Sequence, residues 1–96
     1  LRIHCETNGI EGVERAAALR PDLILVDMQL PDIDGYEVLR RLRARPETES
    51  IPCIALSANA MPRDIEHARA AGFDDYLTKP IDFRQFLDAL ETRFPA

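Results

Sequence analysis

Ninety-six residues allow one small domain, whose folding hides only somewhat over roughly 60% of the surface that the unfolded chain exposes. With 46% hydrophobic and 30% charged residues the chain is too apolar for disorder, and its formal net charge of −5 argues against nucleic-acid binding, which needs a basic face. No segment reaches the ~20 apolar residues of a bilayer span and no signal peptide opens the chain, so no membrane contact and a cytoplasmic location are expected.

Leu1 to Cys5 alternates in polarity and reads as a half-exposed strand at a sheet edge. Asn8-Gly9 and Arg20-Pro21-Asp22 bracket a helix with apolar residues Ile10, Val13, Ala16, Ala17 and Leu19 at helical spacing. Leu23-Ile24-Leu25-Val26 is an unbroken aliphatic run, the pattern of a strand buried on both faces of a parallel sheet, and it ends on Asp27. Asp34-Gly35 introduces a second helix whose buried stripe is Tyr36, Val38, Leu39 and Leu42. The basic run Arg40 to Arg45 falls at that helix's end, where cations complement the dipole. A polar loop, Pro46 to Ser50, follows.

Ile51 to Leu56 is the next apolar strand and runs into Ser57. Pro62 suits the first turn of a third helix, with Ile65, Ala68 and Ala71 as a narrow apolar face and Gly72 as its cap. Asp75 to Thr78 is a strand leading into Lys79-Pro80. Asp82 can cap the last helix, with Gln85 three residues on and Phe83, Phe86, Leu87, Leu90 and Phe94 forming its apolar face. Strands alternating with helices over short loops imply one domain, a parallel sheet with right-handed crossovers and helices on both faces.

Three strands would then end side by side on Asp27, Ser57 and Lys79, at the edge where open α/β sheets keep their ligands. A carboxylate, a hydroxyl and an ammonium in one place can accept and hold a phosphoryl group. Asp27 is an oxygen nucleophile able to form an acyl phosphate, Lys79 a point charge for a phosphoryl oxygen, and Ser57 a donor to another. Pro80 biases Lys79 toward extended backbone, while Gly35 and Pro31 shape the loop beneath Asp27. Cys5 and Cys53 read as small core residues, not a disulfide. His4 and His67 lie far apart and no CxxC is present, so a zinc site is not expected and both histidines read as surface or strand residues. Asp74-Asp75 precedes a strand, which puts it at the wrong end of the sheet for a metal site.

Asp27-x-x-Leu30-Pro31-x-x-Asp34-Gly35, Leu56-Ser57-Ala58 and Tyr76-x-x-Lys79-Pro80 together resemble the receiver domain of two-component response regulators, over essentially the whole chain. The resemblance implies a flavodoxin-like doubly wound fold. It also implies that Asp27 accepts a phosphoryl group from a histidine kinase or histidine phosphotransfer protein. Ser57 would be the switch hydroxyl, Lys79 the phosphate partner, and Tyr76 the aromatic whose rotamer reports to the surface of the last two helices and last strand. Mg²⁺ would be held by Asp27 and by the backbone carbonyl of Gln29. The stretches Ala55 to Met61 and Asp74 to Ile81 look like receivers of hybrid sensor histidine kinases.

One departure is plain. Nothing before Leu1 supplies the family's first strand, with its two terminal acids, or its first helix. The metal site is therefore expected to be incomplete, and the sheet to lack its central strand between the first two strands of this chain. A fragment of a longer protein is the favoured explanation; a strand swapped from a second copy, in a homodimer, and re-pairing of the edge strand are the others. Rival functions are an unphosphorylated receiver-like docking or dimerisation module, and an aspartate-dependent phosphatase. The latter typically carries a second acid two residues after the first, where this chain has Gln29. A flavodoxin-type flavin site lacks its phosphate loop.

Overall fold

A computed structural model of the protein describes residues 2–6, 8–29, 33–58, 61–80 and 82–93. It alternates β1 (Ile3–Glu6), α1 (Gly9–Leu19), β2 (Leu23–Asp27), α2 (Gly35–Arg43), β3 (Cys53–Ser57), α3 (Pro62–Ala71), β4 (Asp75–Thr78) and α4 (Phe83–Arg93). The strands form one sheet in the order β1-β2-β3-β4, every neighbouring pair parallel. Among the expected elements, Leu1, Pro31 and Phe94 lie outside the described residues, as do the side chains of Phe83 and Gln85.

Local chemistry sets the helix ends. The Asn8 side chain accepts from the Glu11 N–H at 3.2 Å, Asp34 from Glu37 at 2.9 Å and Asp82 from Arg84 at 2.8 Å, each quenching a donor that the first turn leaves unsatisfied. Helix α3 has no side-chain cap; it starts on Pro62 and stops at Gly72, whose φ of 117° is open to glycine at little cost.

The pleat sorts the core into two layers. Ile24, Val26, Cys53 and Ala55 pack with Val13 and Ala16 of α1, Val38, Leu39 and Leu42 of α2, and Ala68 of α3. Leu23, Leu25, Ile54, Leu56 and Leu77 point to the other face, where Phe86 and Leu90 of α4 cover them. Both faces of β2 are therefore dry, which is why its run contains no polar residue before Asp27.

Several expectations need correction. The sheet has no central gap: β1 lies directly against β2, with Ile3 opposite Leu23 and His4 opposite Ile24. Backbone donors and acceptors left without partners in a core are costly, and direct pairing removes that cost. Cys5 is exposed, because it sits on the edge strand beyond the reach of α4, whereas Cys53 is buried. Ile10 and Leu19, at the two ends of α1, are 48% and 52% exposed. Ala71, at the end of α3, is exposed too.

The loop after α2 holds a fully buried Thr48 whose hydroxyl donates to the Leu42 carbonyl at 2.6 Å. Thr48→Val keeps the shape and removes that bond from a carbonyl near the helix end. It should cost about 1–2 kcal/mol, read as a lower urea midpoint at unchanged m-value.

Candidate functional site

The carboxyl ends of β2, β3 and β4 coincide. Beyond the strands proper, the Met28 N–H donates to the Leu56 carbonyl and the Lys79 N–H to the Ser57 carbonyl, both at 2.8 Å, so the ladder carries the chain to a common rim. Asp27 stands on that rim, half-buried. Its Oδ1 accepts from the Gln29 N–H at 2.9 Å and its Oδ2 from Lys79 Nζ at 2.6 Å. Two residues 52 positions apart are thereby joined. Ser57 is buried at the end of β3, and Tyr76 lies half-buried on β4, opposite Ala55 on the layer that faces α3.

Gln29, Ser57 and Tyr76 line a cleft of about 290 Å³ next to Asp27. The same walls contain Met28, Asp34, Tyr36 and Asp64. Sequence reasoning left these four out of the site. The sequence marks Asp34 as the start of a helix and Tyr36 as part of a buried stripe, and attaches no expectation to Asp64. The signal was available: a helix that follows a parallel strand begins at the strand's carboxyl edge, so first-turn residues border the crevice. Gly35 is needed there for space. A Cβ on it would run into Met28 Sδ and stand 3.1 Å from Met28 Cα, so α2 starts in contact with the segment that follows Asp27.

Electrostatics favour an ionised Asp27. Burial, the largest single influence, pushes its carboxyl up, but the Lys79 hydrogen bond, the Gln29 N–H and the Lys79 charge together hold it below its ordinary 3.8. Tyr36 is raised above 10.0, first by burial and then by Tyr76, Asp64 and Asp34. The cleft mouth is thus crowded with oxygen atoms that resist further negative charge. The acid pair Asp74-Asp75 lies at the opposite end of β4, where Asp74 accepts from the Cys53 N–H at 2.8 Å and pairs with Arg43 at 3.3 Å.

Among the described residues no group of three or more His, Cys, Asp or Glu side chains could hold a metal ion. The Asp27 carboxylate and the Gln29 carbonyl beside the cleft are oxygen donors that suit a hard cation completing its shell with water and phosphoryl oxygens, as Mg²⁺ commonly does.

Because the Asp27 value is depressed, the ion pair stabilises the folded chain above the ordinary carboxylate range, and its contribution disappears as pH falls through the folded value. Lys79→Ala leaves the burial and removes the cation. Asp27 should then titrate at higher pH than in the parent, seen in a carboxyl ¹³C titration.

The comparisons with known proteins agree on a family. The family model "Response regulator receiver domain" matches residues 2–91. The polar-differentiation response regulator DivK of Brucella anthropi is 41% identical over 85 residues, covering 88% of this chain and 69% of DivK. Among solved structures, the receiver domain of the sensor histidine kinase PA1611 from Pseudomonas aeruginosa, described with a magnesium ion in its active-site cleft, is 39% identical. It superposes with a TM-score of 0.78 over 91% of this chain and 71% of its own. The chemotaxis response regulator CheY4 of Vibrio cholerae has a TM-score of 0.78 at 25% identity, over 88% of this chain and 71% of its own. No described helix is long and apolar enough to cross a membrane. The chain belongs to the response regulator receiver family of two-component signalling, with that family's flavodoxin-like fold.

Proposed function

We propose that the chain relays a signal by taking a phosphoryl group on Asp27 from a phosphohistidine of a histidine kinase or histidine phosphotransfer protein in the cytoplasm. The observation that carries this reading is the 2.6 Å Lys79–Asp27 contact at the carboxyl rim of the sheet. It pairs an ionised nucleophile with a cation placed to meet a phosphoryl oxygen.

In the transfer, an Asp27 carboxylate oxygen forms a bond to phosphorus as the bond from phosphorus to the imidazole nitrogen breaks, and the imidazole leaves with the electron pair. Nothing is oxidised or reduced. Lys79 Nζ carries three donors, so it can hold a phosphoryl oxygen while remaining beside Asp27. Ser57 offers its hydroxyl to another oxygen. A bound Mg²⁺, held by Asp27 and the Gln29 carbonyl, would supply charge neutralisation for the incoming phosphoryl oxygens.

The product replaces the single charge of the Asp27 carboxylate with close to two on the phosphoryl group, a net gain of about one negative charge, beside Asp34 and Asp64. A conformation that brings Ser57 toward the phosphoryl group and lets Tyr76 repack is favoured by that charge, so the population shifts and the outer helical face changes. Relatives include both a named response regulator and the receiver domain of a sensor histidine kinase. A place within a hybrid kinase fits the Ala55–Met61 and Asp74–Ile81 stretches.

The reading is tested by intact-mass spectrometry after incubation with acetyl phosphate and Mg²⁺. The parent should gain one hydroxylamine-labile phosphoryl group and Asp27→Asn none, while Lys79→Ala should label slower by on the order of a hundredfold. Label retained by Asp27→Asn would reassign the acceptor. No label on the parent would favour the docking-module function.

A further inference from the structure

We propose that the groove between α1 and the end of α2 is a docking surface for an acidic amphipathic helix of a partner protein. The proposal is independent of whether Asp27 accepts phosphate.

The groove has a volume of about 270 Å³ and shares no residue with the cleft beside Asp27. Its floor is apolar. Ile10, 48% exposed in the first turn of α1, continues outward from buried Val13, and exposed Ala44 closes the floor at the end of α2. A single exposed isoleucine is ordinary on a protein surface; here it lies between walls that are mostly of one charge. Those walls carry Arg40 and Arg41 of α2 and Arg45 just beyond it, with Glu14 as the one acid in the groove.

The arginines are aimed by their neighbours. Arg45 pairs with Glu14, and Glu37, one turn before Arg41, serves the other two, accepting from Arg40 Nε at 2.7 Å and from Arg41 Nε at 3.4 Å. Three positive charges therefore stand against two negative ones, a local surplus of cation in a chain whose formal net charge is −5. Each guanidinium is held on one edge only. Both terminal nitrogens of Arg41, and Nη1 of Arg40 and of Arg45, have no partner among the described residues. The guanidinium fork has five donors, so an arginine paired on one edge can still donate to a carboxylate from the other.

The chemistry of the occupant follows. A small anion has no use for an aliphatic floor, and the charge of the remaining chain opposes nucleic acid. A purely aliphatic segment would cover the open arginine edges without replacing their water. A helix with an aliphatic stripe bordered by Asp or Glu meets both demands: its stripe covers Ile10 and Ala44 above Val13, and its carboxylates reach Arg40, Arg41 and Arg45. The groove follows about one turn of each helix, so the contact is small and the complex reversible.

Fluorescence anisotropy on the full chain tests this with a fluorescein-labelled synthetic peptide of about four helical turns, in which leucines at i, i+3, i+4 and i+7 form a stripe and glutamates flank it. The parent should bind it saturably, and more weakly as salt is raised. Arg41→Glu should weaken binding by roughly tenfold or more and Ile10→Ser by roughly fivefold, with circular dichroism verifying the fold of both variants. Two control peptides, one with lysine for every glutamate and one with glutamine for every leucine, should each bind at least about tenfold more weakly than the probe. Backbone amide shifts of ¹⁵N-labelled parent locate the contact, and the largest should fall within residues 10–14 and 40–45. No saturable binding by the parent, unchanged affinity in either folded variant, equal binding of either control peptide, or shifts centred elsewhere would overturn the proposal. A fluorescein-labelled DNA oligonucleotide bound as tightly as the acidic peptide would overturn it in favour of a polyanion site.

Discussion

Parallel pairing is the constraint on which this molecule depends. A strand, a crossover helix and a second strand in the same direction bring both strands' carboxyl ends to one rim, and repeated crossovers bring every later end there too. The strand interiors tolerate no polar atom, since β2 and β3 are covered on both faces. Polar chemistry is therefore displaced to the first positions where each strand emerges. Asp27, Ser57 and Lys79 share a rim because each ends or follows a strand of the one parallel sheet, although they are scattered over more than half the chain.

At that rim, burial alone would push Asp27 toward the neutral acid. Lys79 and the Gln29 peptide reverse the balance, so the carboxylate remains ionised in a half-dry setting. The cleft walls include two further acids and two phenols, Asp34, Asp64, Tyr36 and Tyr76. Such a site holds one negative charge comfortably and a second group poorly unless a cation comes with it. The same feature makes charge at Asp27 consequential for the packing around it.

Much of this was legible in the chain because the relevant signals are local. The aliphatic run before Asp27, the Asp34 cap, Pro62 at the first turn and Gly72 at the close of α3 each reflect a short-range preference, and each element stands where its pattern put it. What escaped depended on distant neighbours. Thr48 looks like an ordinary polar loop residue until the Leu42 carbonyl beneath it is seen. Cys5 has the apolar character of a core position, yet which strand it pairs with, and how far α4 reaches, decide that it is exposed. Re-pairing of β1 with β2 is one of three possibilities that the sequence leaves open, and the choice among them turns on backbone hydrogen bonding, to which side-chain pattern is indifferent. In the cleft, Tyr36 satisfied two roles at once, packing and lining, and the helical stripe displayed only the first.

The helices are held unequally, and that inequality gives the rim a route outward. Helix α2 buries Gly35, Val38, Leu39 and Leu42 and carries a side-chain cap. Helix α3 buries Ala68 alone and has no side-chain cap, so few apolar contacts oppose its displacement. Its ties to the cleft are aromatic and electrostatic. The Tyr36 ring lies 4.7 Å from His67 of α3 and meets the edge of Phe73 at 6.1 Å, while Asp64 in the first turn of α3 lines the cleft wall. Negative charge added at Asp27, as proposed above, would face Asp64 and Tyr36 across the cleft that they line. Under the proposed phosphorylation, repulsion of the Asp64 carboxylate would act on the end of α3 that lacks a side-chain cap. A lightly held helix thus borders the site, which is the arrangement a switch at Asp27 would need if modest electrostatic work is to change a surface.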